Sequence, residues 1–84
     1  MEQEKLLKIS ITKNEEIYIA DMMVDFSSFN SVFKSLWNDE MAVVINSDED
    51  VHYGLVMKVV TQVQKLGVTK LGFLTLNPKD KLGK

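Results

Sequence analysis

A histidine and a run of acidic residues are the side chains in this sequence with the chemistry to bind a metal ion. His52 lies close behind Asp48, Glu49 and Asp50. The spacing matches neither an EF-hand loop nor an HExxH helix, because it lacks a glycine turn and a second histidine. Solvated acids near the start of a helix, which the helix dipole favours, explain the run more simply. We therefore expect neither a metal ion nor another cofactor.

The sequence also lacks the arrangements on which most hydrolytic enzymes depend. Its acids fall in predicted turns and helix starts, whereas acid–base catalysis needs paired carboxylates in separate environments. No serine lies in a nucleophile elbow, and the scattered glycines do not form a phosphate-binding loop. The absence of cysteine excludes thiolate zinc sites and cysteine nucleophiles. We expect no enzymatic activity. A small stand-alone enzyme or ligand-binding domain is a third hypothesis, and it would require a concave polar pocket that the residues do not indicate.

Composition limits the class of protein further. A chain of 84 residues with 45% hydrophobic and 26% charged residues is typical of one small globular domain. All ten basic residues are lysines, scattered along a chain of net charge −2, which argues against nucleic-acid binding. No apolar run approaches the roughly 20 residues that span a bilayer. We expect a folded domain over residues 6–76, with flexible segments at 1–5 and 77–84.

The elements that position these side chains begin with an antiparallel hairpin over residues 6–19. Leu7, Ile9 and Ile11 alternate with polar residues, which is typical of a half-buried strand. The turn at 13–16 contains Asn14, a residue that tolerates the left-handed conformation. Residues 20–24 form a short apolar connection without a clear period. A helix follows, for which three residues are candidate N-caps, namely Asp25, Ser27 and Ser28, and its apolar stripe comprises Phe29, Val32, Phe33, Leu36 and Trp37.

The second half of the sequence predicts a strand, a helix and another strand. Residues 41–45 are all apolar, which indicates a strand in the interior of the sheet. Gly67 is placed to end the following helix in a left-handed turn, and residues 69–76 form the last strand before Pro78. The apolar stripe of that helix comprises Tyr53, Val56, Met57, Val59, Val60, Val63 and Leu66. Within it, Tyr53, Val56, Val60 and Val63 are assigned to packing, and Met57 is also expected in the core.

These elements predict the order β-β-α-β-α-β and an α+β fold. Two helices would cover one face of a small mixed β-sheet, as a two-layer sandwich. The strand at 41–45 is apolar on both sides, however, although the helices cover only one face. Either a partner shields the opposite face, with a symmetric homodimer as the simplest form, or neighbouring side chains cover it.

The last strand carries the residues that we expect to bind a partner. Leu71, Phe73 and Thr75 share one of its faces. If the strand lies at the edge of the sheet, its unpaired backbone groups can accept a strand from another chain. If it lies inside the sheet, Gly72 would only allow a helix to pack closely. The sequence leaves both possibilities open.

The order of short motifs over the second half of the chain resembles the ExbD/TolR family of biopolymer transport proteins. Ser47-Asp48 corresponds to the Ala-Asp turn of that family, and Val51-His52-Tyr53 to its Val-x-Tyr motif. The helix motif is matched by residues 56–60, with Val60 where methionine is frequent. Gly67 matches the end of the helix, and Leu71-Gly72-Phe73 matches a closing Ile-Gly-Leu-like strand in which Phe73 replaces an aliphatic residue.

The resemblance, which covers residues 6–76, implies a function in the bacterial envelope. It implies the periplasmic domain of an ExbD-like subunit, anchored in the inner membrane by a single helix outside this sequence. The implied partners are a second copy, an ExbB-like proton-channel subunit and a TonB-like transducer that uses the proton motive force for outer-membrane transport. The alternative is a TolR-like domain that binds peptidoglycan in the Tol envelope-integrity system.

Overall fold

Five strands and two helices form within residues 5–74, the part of the chain that the computed structural model describes. The sheet order is β3-β2-β1-β4-β5, and buried residues of the strands and both helices form one core. The predicted α+β fold is therefore confirmed, with one strand more than expected. The elements are β1 (Leu6–Ile11), β2 (Ile17–Ile19), β3 (Met22–Val24), α1 (Phe26–Leu36), β4 (Ala42–Ser47), α2 (Tyr53–Lys65) and β5 (Leu71–Phe73).

The predicted hairpin is present, since β1 and β2 pair antiparallel. Leu7, Ile9 and Ile11 are all buried, as their alternation predicted. The left-handed residue of the turn is Glu15, with a φ of 68°, and not Asn14. The hydroxyl of Thr12 accepts hydrogen bonds from the amides of Asn14 and Glu16, which holds the turn in this shape.

The additional strand, β3, forms where the sequence predicted only a connection. It pairs antiparallel with β2, and two of its three residues, Met22 and Met23, are more than half exposed. Three residues are too few to display a period of two, so the hydrophobic pattern carries little information there. The turn before β3 places Ala20 at a φ of 58°, in the left-handed region that L-residues rarely adopt.

Replacing Ala20 by glycine should therefore stabilise the domain. Removing the steric cost of the left-handed conformation outweighs the added chain entropy, so the free energy of unfolding should rise by about 0.5–1 kcal/mol in urea denaturation. The other alanine, Ala42, lies in β4 and is not among the positive-φ residues, which makes Ala42→Gly a matched control. That control should lose stability, and an equal loss for Ala20→Gly would contradict the assigned turn geometry.

Of the three candidate caps, Asp25 is the residue that begins α1. Its carboxylate accepts hydrogen bonds from the Ser27 hydroxyl at 2.7 Å and from the Ser28 hydroxyl and amide, both at 3.1 Å. The Ser28 hydroxyl in turn accepts from the Asp25 amide, which completes a capping box. The hydrogen bond from the Ser27 side chain, followed by those from Ser28, lowers the pKa of the Asp25 carboxyl.

The aromatic residues of the predicted α1 stripe form a column of rings together with Phe26, whereas Leu36 of that stripe is 37% exposed. Phe29 and Phe33 are fully buried, and successive ring centroids from Phe26 to Trp37 lie 6.2, 5.9 and 5.5 Å apart. The Trp37 indole donates to the backbone oxygen of Met41 at 3.2 Å. This bond fixes the end of α1 to the residue before β4, so the column ties the helix to the sheet.

Strand β4 lies inside the sheet, between β1 and β5, and pairs parallel with both. Val43 and Ile45 are fully buried on the face that the helices cover. Ala42 and Val44 lie on the opposite face and are half-buried. No helix or strand among residues 5–74 covers that face, so neighbouring side chains provide the partial burial of Val44 within the described chain.

Helix α2 follows its predicted stripe with two exceptions. Val56, Val59, Val60 and Val63 are buried, but Tyr53 is 75% exposed and Met57 is 38% exposed, so packing was the wrong assignment for both. These two residues lie one turn apart at the border of the stripe, where their side chains face solvent and not the sheet. Gly67 has a φ of 107° and ends the helix as predicted.

The two helices run side by side in the same direction. The Lys58 ammonium lies 4.7 Å from the centre of the Phe26 ring, and the Gln62 amide donates to Asn30 at 2.7 Å. Both contacts pair residues that are 32 positions apart, which fixes the register of the helix layer. Neither helix within residues 5–74 is long and apolar enough to cross a membrane.

Candidate partner-binding edge

Strand β5 forms one edge of the described sheet. It pairs parallel with β4 on one side, with Leu71 opposite Val43 and Phe73 opposite Ile45. Within the described residues the strand covers Leu71–Phe73, whereas the sequence predicted a strand over 69–76, of which residues 75 and 76 lie outside the described part. Of the two possibilities that the sequence left open, the edge position is the one found in residues 5–74.

The hydrogen bonds to β4 show which backbone groups of β5 point outward. The Lys70 oxygen accepts from the Val43 amide, and the Leu74 amide donates to the Ile45 oxygen, both at 2.8 Å. Because alternate residues of a strand face the same neighbour, Lys70, Gly72 and Leu74 face β4, whereas Leu71 and Phe73 face away from it. The N–H and C=O groups of Leu71 and Phe73 therefore form an edge without a paired strand in the described chain.

The opposite edge, at β3, offers much less to an incoming strand. By the same alternation, the outward-facing residues there are Met23 and Asp25. The Asp25 amide donates to the Ser28 hydroxyl at 3.3 Å, and its oxygen accepts from the Ser28 amide at 3.1 Å. The capping box thus occupies the outward groups of Asp25, and the start of α1 terminates the edge. A short edge closed by a helix cap is a usual defence against pairing with another chain.

The side chains of the predicted site are placed unequally. Leu71 is half-buried and packs against the core, whereas Phe73, in the same row as buried Ile45, is 53% exposed. Thr75 lies outside the described residues. The structure thus brings Leu71 and Phe73 together on the helix-covered face, with Phe73 as the more accessible of the two.

The sequence did not single out the apolar residues of the opposite sheet face near this edge. Leu74 is 50% exposed, and Gly72 and Val44 lie beside each other in the row next to it. Leu6, 57% exposed, lies on the same face opposite Ala42. Their positions follow from the strand register, which sequence periodicity alone does not give for a strand as short as β5.

A second feature lies at the carboxyl ends of β1 and β4. It is an open depression of about 500 Å³, lined on one side by residues 10–13 and on the other by residues 46–50. Ser10, Thr12 and Asn46 contribute polar groups to its wall. The Nε2 atom of His52 lies 3.8 Å from a carboxylate oxygen of Glu15. Among residues 5–74, no group of three or more histidine or acidic side chains is arranged to hold a metal ion.

Comparison with known proteins adds one match. Residues 1–77 match the family model described as biopolymer transport protein ExbD/TolR. This span includes all of the described residues and both edges of the sheet. No curated protein sequence matches the chain.

Proposed function

Because this chain belongs to the ExbD/TolR family of biopolymer transport proteins, we propose that it is the periplasmic interaction domain of an ExbD-like subunit. Such a subunit is anchored to the inner membrane and acts in a TonB-type system, in which the proton motive force energises outer-membrane transport. In this function the domain recognises a TonB-like transducer. The ExbB-like proton-channel subunit contacts the membrane helix of the same protein.

The free edge of β5 is the observation that carries this proposal. Two residues, Leu71 and Phe73, present two donors and two acceptors in the spacing that an extended chain needs. Each backbone hydrogen bond contributes about 0.5–1.5 kcal/mol net. Four such bonds with a few apolar contacts give a weak association that can be released, as a transducer that must cycle between bound and free states requires.

The same edge is the proposed contact for a homodimer. An antiparallel pair of β5 strands from two copies would be a self-complementary interface about a two-fold axis. Half-exposed Leu74 on the open sheet face supplies apolar surface next to it, and half-exposed Leu6 lies farther in on the same face, on β1. In this arrangement a transducer strand and a second copy compete for one edge, so binding of the transducer would open the dimer at β5.

Replacing Phe73 by aspartate tests the proposed edge. A charge at an edge strand opposes pairing with another chain, so we expect at least about tenfold weaker binding of the purified periplasmic region of the transducer. Because Phe73 is 53% exposed, the variant should keep the circular dichroism spectrum of the parent. Affinity is measured by isothermal titration calorimetry, and self-association by analytical ultracentrifugation.

Met23→Asp provides the matched control for this experiment. Met23 is 59% exposed and lies on β3, at the opposite edge of the sheet. This variant introduces the same charge at another exposed apolar position, and it should bind the transducer as the parent does. Unfolding of Phe73→Asp would place Phe73 in the core, and equal binding by both variants would remove the β5 edge from the interface.

The alternative function is that of a TolR-like domain that binds peptidoglycan. The depression at the ends of β1 and β4 favours it, since its hydroxyl and amide groups suit a polar glycan–peptide polymer. A pull-down on purified sacculi separates the two proposals. Retention of the domain on the sacculi at moderate salt supports the TolR-like function. Recovery of the domain in the unbound fraction supports the ExbD-like function.

A further inference from the structure

Gly72 occupies a position in β5 at which the backbone does not require glycine. Among the described glycines only Gly67 has a positive φ, so Gly72 has a conformation open to other residues. A Cβ atom built on Gly72 meets no atom of residues 5–74 within 4 Å. The sequence-based explanation, that glycine here allows a helix to pack closely, is therefore wrong. The absent side chain leaves a notch on the open face of the sheet.

The walls of this notch are defined by the strand register. Gly72 lies beside half-buried Val44, which in turn lies beside Lys8. Along β5, Lys70 and Leu74 flank Gly72 on the same face, since residues two apart point to the same side. Lys70 is exposed and Leu74 is 50% exposed. The notch thus has an apolar floor, an apolar wall and a cationic wall.

We propose that a strand docked on β5 inserts an aromatic side chain into this notch, opposite Gly72. This inference rests on the proposed pairing at the β5 edge and adds the chemistry of the incoming segment. The side chain opposite a glycine in a neighbouring strand can lie across it, and aromatic residues are those that restore packing over glycine in a sheet. In this arrangement the ring contacts Val44 and Leu74, and the exposed Lys70 side chain, two residues from Gly72 on the same face, can place its ammonium over the ring. The occupant is therefore an extended segment of a partner protein with an aromatic residue on one side.

Peptide selection tests the chemistry of this segment directly. A phage library of random decapeptides is selected on the chain, and the enriched sequences are made as synthetic peptides. We expect one aromatic position within an extended pattern, and replacing that residue by alanine should weaken binding about tenfold. Nuclear Overhauser contacts between the aromatic ring and the Gly72 and Val44 protons place it in the notch. Selected peptides with no aromatic preference would overturn the inference.

Gly72→Val is the protein variant that separates recognition from folding. Valine favours strands and its first side-chain atom meets open space, so the domain should be at least as stable as the parent. The selected peptide should nevertheless bind at least about tenfold more weakly, because valine fills the notch. Gly54→Ala is the matched control, since Gly54 lies in α2 and an added Cβ there also meets no atom of the described residues within 4 Å. It should leave peptide binding unchanged.

The two proposals fail in different ways in this experiment. If Gly72→Val binds the selected peptide as tightly as the parent while Phe73→Asp loses it, the edge pairing stands and the notch is overturned. If neither variant weakens peptide binding, or if no peptide is selected on the chain, the edge pairing at β5 is overturned together with the notch.

Discussion

Replacing Phe33 by alanine is expected to lower the free energy of unfolding by about 3–5 kcal/mol. Phe33 is fully buried at the centre of the aromatic column, between Phe29 at 5.9 Å and Trp37 at 5.5 Å. Alanine leaves a cavity with two unsupported rings beside it. Since small domains are stable by only about 5–15 kcal/mol, this variant should be close to unfolding at 37 °C. Urea denaturation followed by tryptophan fluorescence measures the loss.

The matched control is Phe26→Ala in the same column. Phe26 is 37% exposed and contacts Phe29 on one side and Lys58 on the other. Its removal takes away less buried apolar surface than that of Phe33 and leaves no enclosed cavity. The free energy of unfolding should therefore fall by only about 1 kcal/mol. A loss below 1 kcal/mol for Phe33→Ala, or a larger loss at Phe26, would contradict the proposed centre of the core.

Replacing Phe73 by proline should strongly weaken transducer binding while leaving the domain folded. Proline removes the Phe73 N–H, one of the two outward donors of β5, and its ring obstructs an approaching backbone. The bonds between β5 and β4 use Lys70 and Leu74 and are not removed by this change. Edge strands tolerate proline where its nitrogen faces solvent. Titration calorimetry with the purified transducer region should show affinity falling at least about tenfold, the equivalent of about 1.4 kcal/mol.

Phe73→Thr distinguishes backbone pairing from a side-chain contact. Threonine also removes the ring but keeps the N–H and favours the strand conformation. If the partner pairs with the backbone, this variant should retain much more affinity than Phe73→Pro. Equal losses in the two variants would instead assign the binding energy to the aromatic ring and would contradict strand addition at β5.

The elements that the sequence predicted well are those with long, regular patterns. Alternation over six residues placed Leu7, Ile9 and Ile11 on the buried face of β1, and helical periodicity placed Phe29 and Phe33. The burial of these residues could be predicted from local periodicity, because the sheet and the helices share one core and each turns its apolar side toward it. The fold class and the end of α2 at Gly67 followed from the same kind of local information.

The errors occurred where tertiary position decides the outcome. Strand β3 is three residues long and forms because β2 is available to pair with it. Tyr53 and Met57 have the spacing of core residues, but they lie at the border of the α2 stripe and face solvent. Hydrophobic periodicity shows which side of a helix is buried but not how wide the buried side is. It therefore does not tell whether a residue at the border of the stripe is buried or exposed.

The candidate site depends on strand order, which the sequence does not specify. Leu71 and Phe73 were identified from their alternation, but whether their outward backbone groups are free depends on β5 lying at the edge. Asp25 was a candidate cap in the sequence, but its capping box closes a sheet edge only because β3 forms there, and β3 was not predicted. Gly72 was noted in the sequence, but its empty surroundings became visible only with the neighbouring strands in place.

Amide hydrogen exchange at β5, measured with and without the purified transducer region, tests the central claim most directly. Strand addition should slow exchange of the Leu71 and Phe73 amides, which point outward, while the Gly72 amide, already directed to β4, changes little. The Met23 amide at the opposite edge should exchange at the same rate in both states. Protection that appears elsewhere in the domain while Leu71 and Phe73 exchange unchanged would contradict binding at this edge.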